Sequence, residues 1–155
     1  MTAENSAEQI EYFHAIALDR VHRTRDFTLT EDDIISYASE WNPEPYHIDV
    51  EAAKQSRIGR VFAAGPHLIA ISVKLTNERR PRPASVAGLG WDELRFKVPA
   101  FPDDQLYVET FAAEKRLSQS KPDTGIVRYV VNLKNQRDEV VLSYSVSTLV
   151  EVGPA

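Results

Sequence analysis

Two neighbouring stretches decide how this chain reads: the loop Asn42-Pro43-Glu44-Pro45-Tyr46-His47, and the run Ala64-Gly65-Pro66-His67 that leads into Leu68-Ile69-Ala70-Ile71-Ser72-Val73-Lys74-Leu75. In the second, Leu68, Ile69, Ala70, Ile71, Val73 and Leu75 surround most of a helix, which predicts a central helix buried on nearly all sides. Pro66 falls in its first turn, where the missing amide hydrogen costs nothing. In the first, prolines on both sides of Glu44 fix φ and keep the preceding residues out of the α region, so the loop can hold His47 in one place. A rigid loop carrying a titratable group is where chemistry is expected.

Working outward, Asp26-Phe27-Thr28-Leu29-Thr30 reads as a short strand running into a helix start, because Thr30 and Asp33 have the spacing of a capping box. Ile34, Ile35, Ala38 and Trp41 then fall at helical spacing and predict one buried face. After the loop, Asp49 caps a short helix through Glu51-Ala52-Ala53-Lys54, and Gly59 makes the turn between Arg57 and Arg60. Beyond the central helix the chain reads as strands. Val86 to Val98 is interrupted by Gly88 and Gly90, and Leu106 to Arg116 mixes apolar and charged residues. In the third run Val127, Tyr129, Val131 and Leu133 share a face, and in the last the even positions from Val140 to Val150 alternate with the odd. Four strands after one buried helix indicate an α+β domain, an antiparallel sheet packed on that helix.

The 155 residues fit a single domain, 1–155, with residues 1–10 small, polar and expected to fray. Hydrophobic content of 43% and charged content of 26% are globular values. The absence of cysteine excludes disulfides, thiolate metal sites and a cysteine nucleophile. No histidine spacing of a zinc helix and no Gly-rich phosphate loop is visible, so no metal and no cofactor is expected. A net charge of −5 argues against a nucleic-acid partner. With no apolar run of spanning length and no basic-then-apolar leader pattern, no membrane association is expected, and the cytoplasm is the expected location.

The run Ala38-Ser39-Glu40-Trp41-Asn42-Pro43-Glu44-Pro45-Tyr46-His47-Ile48-Asp49, then Glu51-Ala52-Ala53-Lys54, Gly59 and Ala64-Gly65-Pro66-His67, resembles the hydratase signature of the MaoC-like acyl dehydratases. That branch reads Asp-Pro-Gln-Pro-Phe-His and, further on, Ser-Gly-Trp-His at the same spacings. Gly90-Trp91-Asp92-Glu93-Leu94-Arg95-Phe96 resembles the family's Gly-x-Asp-x-Leu-Arg-Trp strand. Pro99-Ala100-Phe101-Pro102-Asp103-Asp104-Gln105-Leu106 resembles its Pro-Val-x-Pro-Gly-Asp-x-Leu turn, with Asp103 in the place of glycine. Lys134-Asn135-Gln136-Arg137-Asp138-Glu139-Val140-Val141 resembles its Asn-Gln-x-Gly-x-x-Val turn.

The resemblance implies a hotdog fold, a curved antiparallel sheet wrapped around one central helix. It implies reversible addition of water to a trans-2-enoyl-CoA, with the acyl-CoA thioester as substrate, and a homodimer whose sites lie where two domains meet. Carried over by position, His47 matches the catalytic histidine and Gly65 the backbone amide that holds the thioester oxygen. Asn42 stands where the family has its catalytic aspartate; an amide can orient water but cannot take its proton. Tyr46 is a candidate pocket wall, and His67 aligns with a family histidine near the acyl tunnel. Arg57 and Arg60, with Arg79, Arg80 and Arg82, make the middle of the chain basic. They could seat CoA phosphates, or Arg79 and Arg80 could close the helix against its C-terminal carbonyls. With Asn42 in the aspartate position, two alternatives stand beside the hydratase: a protein that binds acyl-CoA without turning it over, and a hotdog thioesterase.

Overall fold

Thr30 marks the first well-defined junction. Its hydroxyl accepts from the Asp33 amide at 3.0 Å while the Asp33 carboxylate accepts from the Thr30 amide at 3.1 Å, the complete capping box that the spacing predicts. In the computed structural model, which describes residues 9–154, this box ends β3 (Phe27–Thr28) and opens α1 (Glu31–Trp41). Before it come β1 (Ile10–Glu11), a 3-10 turn (Phe13–Ala15) and β2 (His22–Arg23). After it come α2 (Pro45–Ile48), α3 (Val50–Gln55) and α4 (Gly65–Asn77), then β4 (Arg82–Pro83), β5 (Ser85–Phe96), β6 (Gln105–Leu117), β7 (Thr124–Lys134) and β8 (Val140–Glu151). Asp49 caps α3 as expected, accepting from the amides of Glu51 and Ala52, and Gly59 has φ +82°.

The long strands form an antiparallel sheet in the order β2-β6-β7-β8-β5, with β3 also on β6, while β1 and β4 pair separately in parallel. Helix α4 lies on one face of this sheet. Leu68, Ile71 and Leu75 from the helix meet Leu106, Val108, Val131, Leu133 and Leu142 from the strands in the main core, joined by Leu29 and Ile34 from the α1 side. The same sheet face runs on past α4, and there Phe13 and Ile16 cover Val127, Tyr129 and Val150. Gly125 permits this closure, since a Cβ there would come 2.3 Å from the Phe13 ring.

Several expectations need correction. Helix α4 buries one face rather than nearly all, because packing on the sheet and on α1 takes His67, Leu68, Ile71, Ser72 and Leu75 and leaves Ala70 and Val73 outward. On α1, Ile34 and Ala38 are buried but Trp41, in the last turn, is 67% exposed. Gly88 and Gly90 do not interrupt β5; pairing with β8 shifts register between them, and the strand continues through the bulge. Alternation in β8 fails, since Val141 and Leu142, Tyr144 and Ser145, and Leu149 and Val150 are buried as neighbours; at the first of these, pairing steps from Lys134↔Val140 to Leu133↔Leu142 and leaves Val141 as the extra residue. Ile10 does not fray but pairs with Arg82, whose amide bonds the Gln9 carbonyl at 2.7 Å. The expectation for residues 1–8 lies outside the described residues. Among the described residues no helix is long and apolar enough to cross a membrane.

Candidate active site

The proline loop does to His47 what its composition predicts. Pro45 opens the single turn α2, and His47, 5% exposed, is held between rings, edge-on to Tyr46 and to Phe62 at 4.6 Å from each. Tyr46 and Phe62 stack 5.5 Å apart and 3° from parallel. The His47 Nδ1 lies 2.7 Å from the Phe62 carbonyl oxygen. A carbonyl only accepts, so Nδ1 carries the proton and Nε2 is left with a free lone pair.

Shortly after Phe62 the chain enters α4, whose N-terminus is left uncapped. Ala64 at the N-cap has no side chain to bond the first amides, and Pro66 contributes no N–H. The Gly65 amide therefore stands at the open, electropositive end of the helix without an intrahelical partner. The absence of a side chain at Gly65 leaves room for the Phe96 ring, which would have to move for a Cβ that otherwise lies 2.7 Å from it.

These groups line one cavity of about 690 Å³. Tyr46 and His47 come from α2, Ser56, Arg57 and Ile58 from the turn after α3, and Phe62 and Ala63 from the approach to α4. Gly65, Pro66 and Leu68 come from α4 itself, and Phe96, Lys97, Val98 and Pro99 from the end of β5. The lining is mostly apolar; its charges are Arg57 and Lys97, and it contains no carboxylate. A cavity of this character accepts an apolar group together with an anionic one.

Of the residues singled out in the sequence, His47, Gly65, Tyr46 and Arg57 converge here, whereas Asn42, His67 and Arg60 lie outside the lining. Asn42 is the C-cap of α1; its amide bonds the Ala38 carbonyl at 2.9 Å and its carbonyl accepts from the Glu44 amide at 2.8 Å. His67 is buried against α1, stacked on Tyr37, and burial holds it below the usual histidine range. Arg60 covers the Phe101 ring at 4.2 Å. Arg79 is buried in an ion pair with Glu11, and Arg80 bonds the Asn77 and Arg79 carbonyls, which is the helix-closing alternative. Sequence reading missed Phe62, Phe96 and Lys97. Phe96 ends the Gly90–Phe96 run and Lys97 follows it, but nothing local says that this end of β5 returns to α4. Among the described residues no group of three or more His, Asp or Glu side chains is placed to hold a metal ion.

One helix lying on an antiparallel sheet, with its uncapped N-terminus opening into a cavity beside a fixed histidine, defines a hotdog-fold protein. Residues 14–135 match the MaoC like domain, and the chain belongs to that family, one of hydratases and dehydratases. It is 31% identical to the MaoC-like dehydratase from Rhodospirillum rubrum, with a TM-score of 0.87 over 93% of this chain and 99% of that one. The uncharacterized protein YdeM of Bacillus subtilis (strain 168) is 27% identical over 135 residues, 86% of this chain and 94% of that protein. R-hydratase PhaJ1 from Pseudomonas aeruginosa, at 19% identity, shares the fold with a TM-score of 0.75 over 92% of this chain and 87% of that one.

Proposed function

We propose that this protein is an enoyl-CoA hydratase or acyl dehydratase that adds water reversibly across the double bond of a trans-2-enoyl-CoA. The observation that carries the reading is the His47 Nδ1 bond to the Phe62 carbonyl, which leaves Nε2 as a base in the cavity that Gly65 also lines. In the hydration direction Nε2 takes a proton from water as the hydroxyl adds to C3 of the enoyl group. Electron density moves onto the thioester oxygen, where the Gly65 amide and the positive end of α4 stabilise it. The imidazolium then returns the proton to C2, so that water is added and His47 is restored. Arg57 and Lys97 suit the CoA phosphates.

A second reading, an acyl-CoA binder that does not turn its ligand over, is favoured by the absence of any carboxylate from the lining. One experiment separates the two. Loss of enoyl absorbance is followed with short, medium and branched trans-2-enoyl-CoAs for the wild type, His47→Ala and Asn42→Asp. Turnover by the wild type that falls by about 10² to 10⁴ in His47→Ala supports the hydratase. Silence of the wild type on ligands that it binds, with activity gained in Asn42→Asp, supports the binder. Release of free CoA thiol in place of hydration would mark a thioesterase.

The working form is proposed to be a homodimer joined along β5. This strand ends the sheet, and Val86, Leu89, Trp91 and Phe96 on it are exposed, a long apolar edge of the kind that monomers avoid. Light scattering giving twice the 17.5 kDa chain mass, reduced to the chain mass by Leu89→Lys, is the expected result.

A further inference from the structure

The burial of its lining gives the His47 cavity a direction. Arg57, Ile58 and Lys97 are exposed and mark the mouth, whereas Ala63 and Leu68, each 3% exposed, mark the inner end. Both inner residues belong to the main core, together with Ile34, Ile71, Leu106 and Leu142, so what lies behind them is packed side chain. The Ala63 amide donates to the Ala100 carbonyl at 2.9 Å, which fixes that part of the wall. The cavity is therefore blind, and neither floor residue lies on the β5 edge.

Leu68 follows Gly65 by one helical turn. Their spacing puts the two on one face of α4, about 4.5 Å apart along its axis. A leucine in a helix leans back over the turn that precedes it, so the Leu68 side chain closes toward the place where the Gly65 amide stands. A ligand with an anionic and an apolar end enters with the anion outward, at Arg57 and Lys97, and the apolar end toward Leu68. An acyl chain whose thioester oxygen is held at Gly65 has roughly 5 Å in which to run before it meets Leu68, room for about four carbons beyond the carbonyl.

We propose that this site selects acyl groups of about four to six carbons, and that Leu68 is the residue that sets the limit. The inference rests on the reading that places an acyl thioester at Gly65, but it concerns fit and is read by binding alone. Calorimetric titration of the full-length chain with saturated acyl-CoAs from butanoyl to decanoyl needs no turnover. Affinity is expected to rise about fourfold for each added carbon up to about six, as each methylene leaves water, and then to level off or fall. Leu68→Val takes one methylene from the floor and should move this break outward by about one or two carbons. Leu75→Val makes the same change two turns further along α4, in the same core but outside the cavity lining, and should leave the break in place.

Affinity that climbs steadily to decanoyl-CoA, a break unmoved by Leu68→Val, or a break moved equally by Leu75→Val would each overturn the proposal. Hydration of the matching trans-2-enoyl-CoAs is followed beside the titrations. A protein that is silent in that assay but keeps the break, and its response to Leu68→Val, loses the hydratase reading and retains the floor. Turnover that rises with chain length to the ten-carbon substrate retains the hydratase and overturns the floor. Failure to bind any acyl-CoA would overturn both.

Discussion

Tyr37 on α1 and His67 on α4 lie face to face, ring centroids 4.3 Å apart and planes within 5°. This stack joins α1, capped at Asn42, to the helix that begins at Gly65. Burial lowers the His67 pKa in the fold, with Asp33 opposing the shift. The unfolded chain therefore binds the proton more readily, and stability present above about pH 6.5 falls as pH drops below it, until the folded-state pKa is passed. His22 is shifted the same way, by burial and then by Arg79 and Arg20, and adds a slope of the same sign. Urea unfolding at pH 7.5 and 5.5 should show a loss at the lower pH that shrinks, without vanishing, in His67→Phe, which keeps a stacking ring and removes the titration.

Asp103 at φ +72° and Asp138 at φ +59° are, with Asp19, the aspartates in left-handed backbone among the described residues. Asp103 and Asp138 stand where the turns they resemble in the family have glycine, the residue that adopts this conformation without strain. Their side chains differ in consequence. Asp138 accepts a hydrogen bond from the Tyr107 hydroxyl, whereas the exposed Asp103 side chain makes none among the described residues. Asp103→Gly is accordingly expected to stabilise by about 0.5 kcal/mol, and Asp138→Gly to destabilise by about 0.5 kcal/mol as the lost bond outweighs relief of strain. The hydrogen bond to Asp138 is also the first cause of the Tyr107 pKa of about 12. Phenolate absorbance in Asp138→Gly should report ionisation of Tyr107 at lower pH.

What could be read from the residues was what local physics decides. The Thr30–Asp33 box, the Asp49 cap, the Gly59 turn and the proline-held His47 each depend on neighbours a few positions apart. Strand β7 announced itself by an alternation that the fold keeps, whereas the bulges that shift β5 against β8 and β8 against β7 left no local sign. The outward face of α4 left none either, because apolar residues such as Ala70 and Val73 look alike in sequence whether they meet the chain's own sheet or lie at its surface. The two-residue pairing of β1 with β4 is too short to have a period. The approach of Lys97 and Phe96 to His47 depends on where β5 ends, fixed by bulges and pairing with β8. The Arg79–Glu11 pair joins residues 68 positions apart, and no local pattern foretells it.

Asn42 offers a test in which activity and stability move in opposite directions. It is the C-cap of α1, where the helix end carries partial negative charge. Asn42→Asp puts a carboxylate there and should cost about 0.5 kcal/mol of stability. If the hydratase reading is right, the same change adds a second base in the family's position and should raise enoyl-CoA turnover about 10²-fold. The gain should be lost in the double variant with His47→Ala. A gain that survives removal of His47 would show that the new carboxylate works alone and would count against the role given to His47.

Gly65 and Phe96 provide the sharpest probe of the cavity. A Cβ at Gly65 would meet Cζ of Phe96 at 2.7 Å, too close to tolerate, yet Cζ is the far end of a side chain that is 52% exposed and free to swing. Gly65→Ala should therefore change stability by less than about 1 kcal/mol, since alanine is well suited to a helix and only an outer ring must move. The backbone amide is kept, so on the hydratase reading its hold on the thioester oxygen should persist. The displaced ring belongs to the cavity wall, and binding of the acyl group should weaken. Kinetically this predicts a KM raised about tenfold with kcat nearly unchanged, the signature of lost uniform binding. Phe96→Leu in the same chain should restore KM by making room for the new methyl group. If instead kcat falls and the second substitution does not recover it, the start of α4 has itself moved, and Gly65 serves the reaction through backbone position rather than through the space it leaves for Phe96.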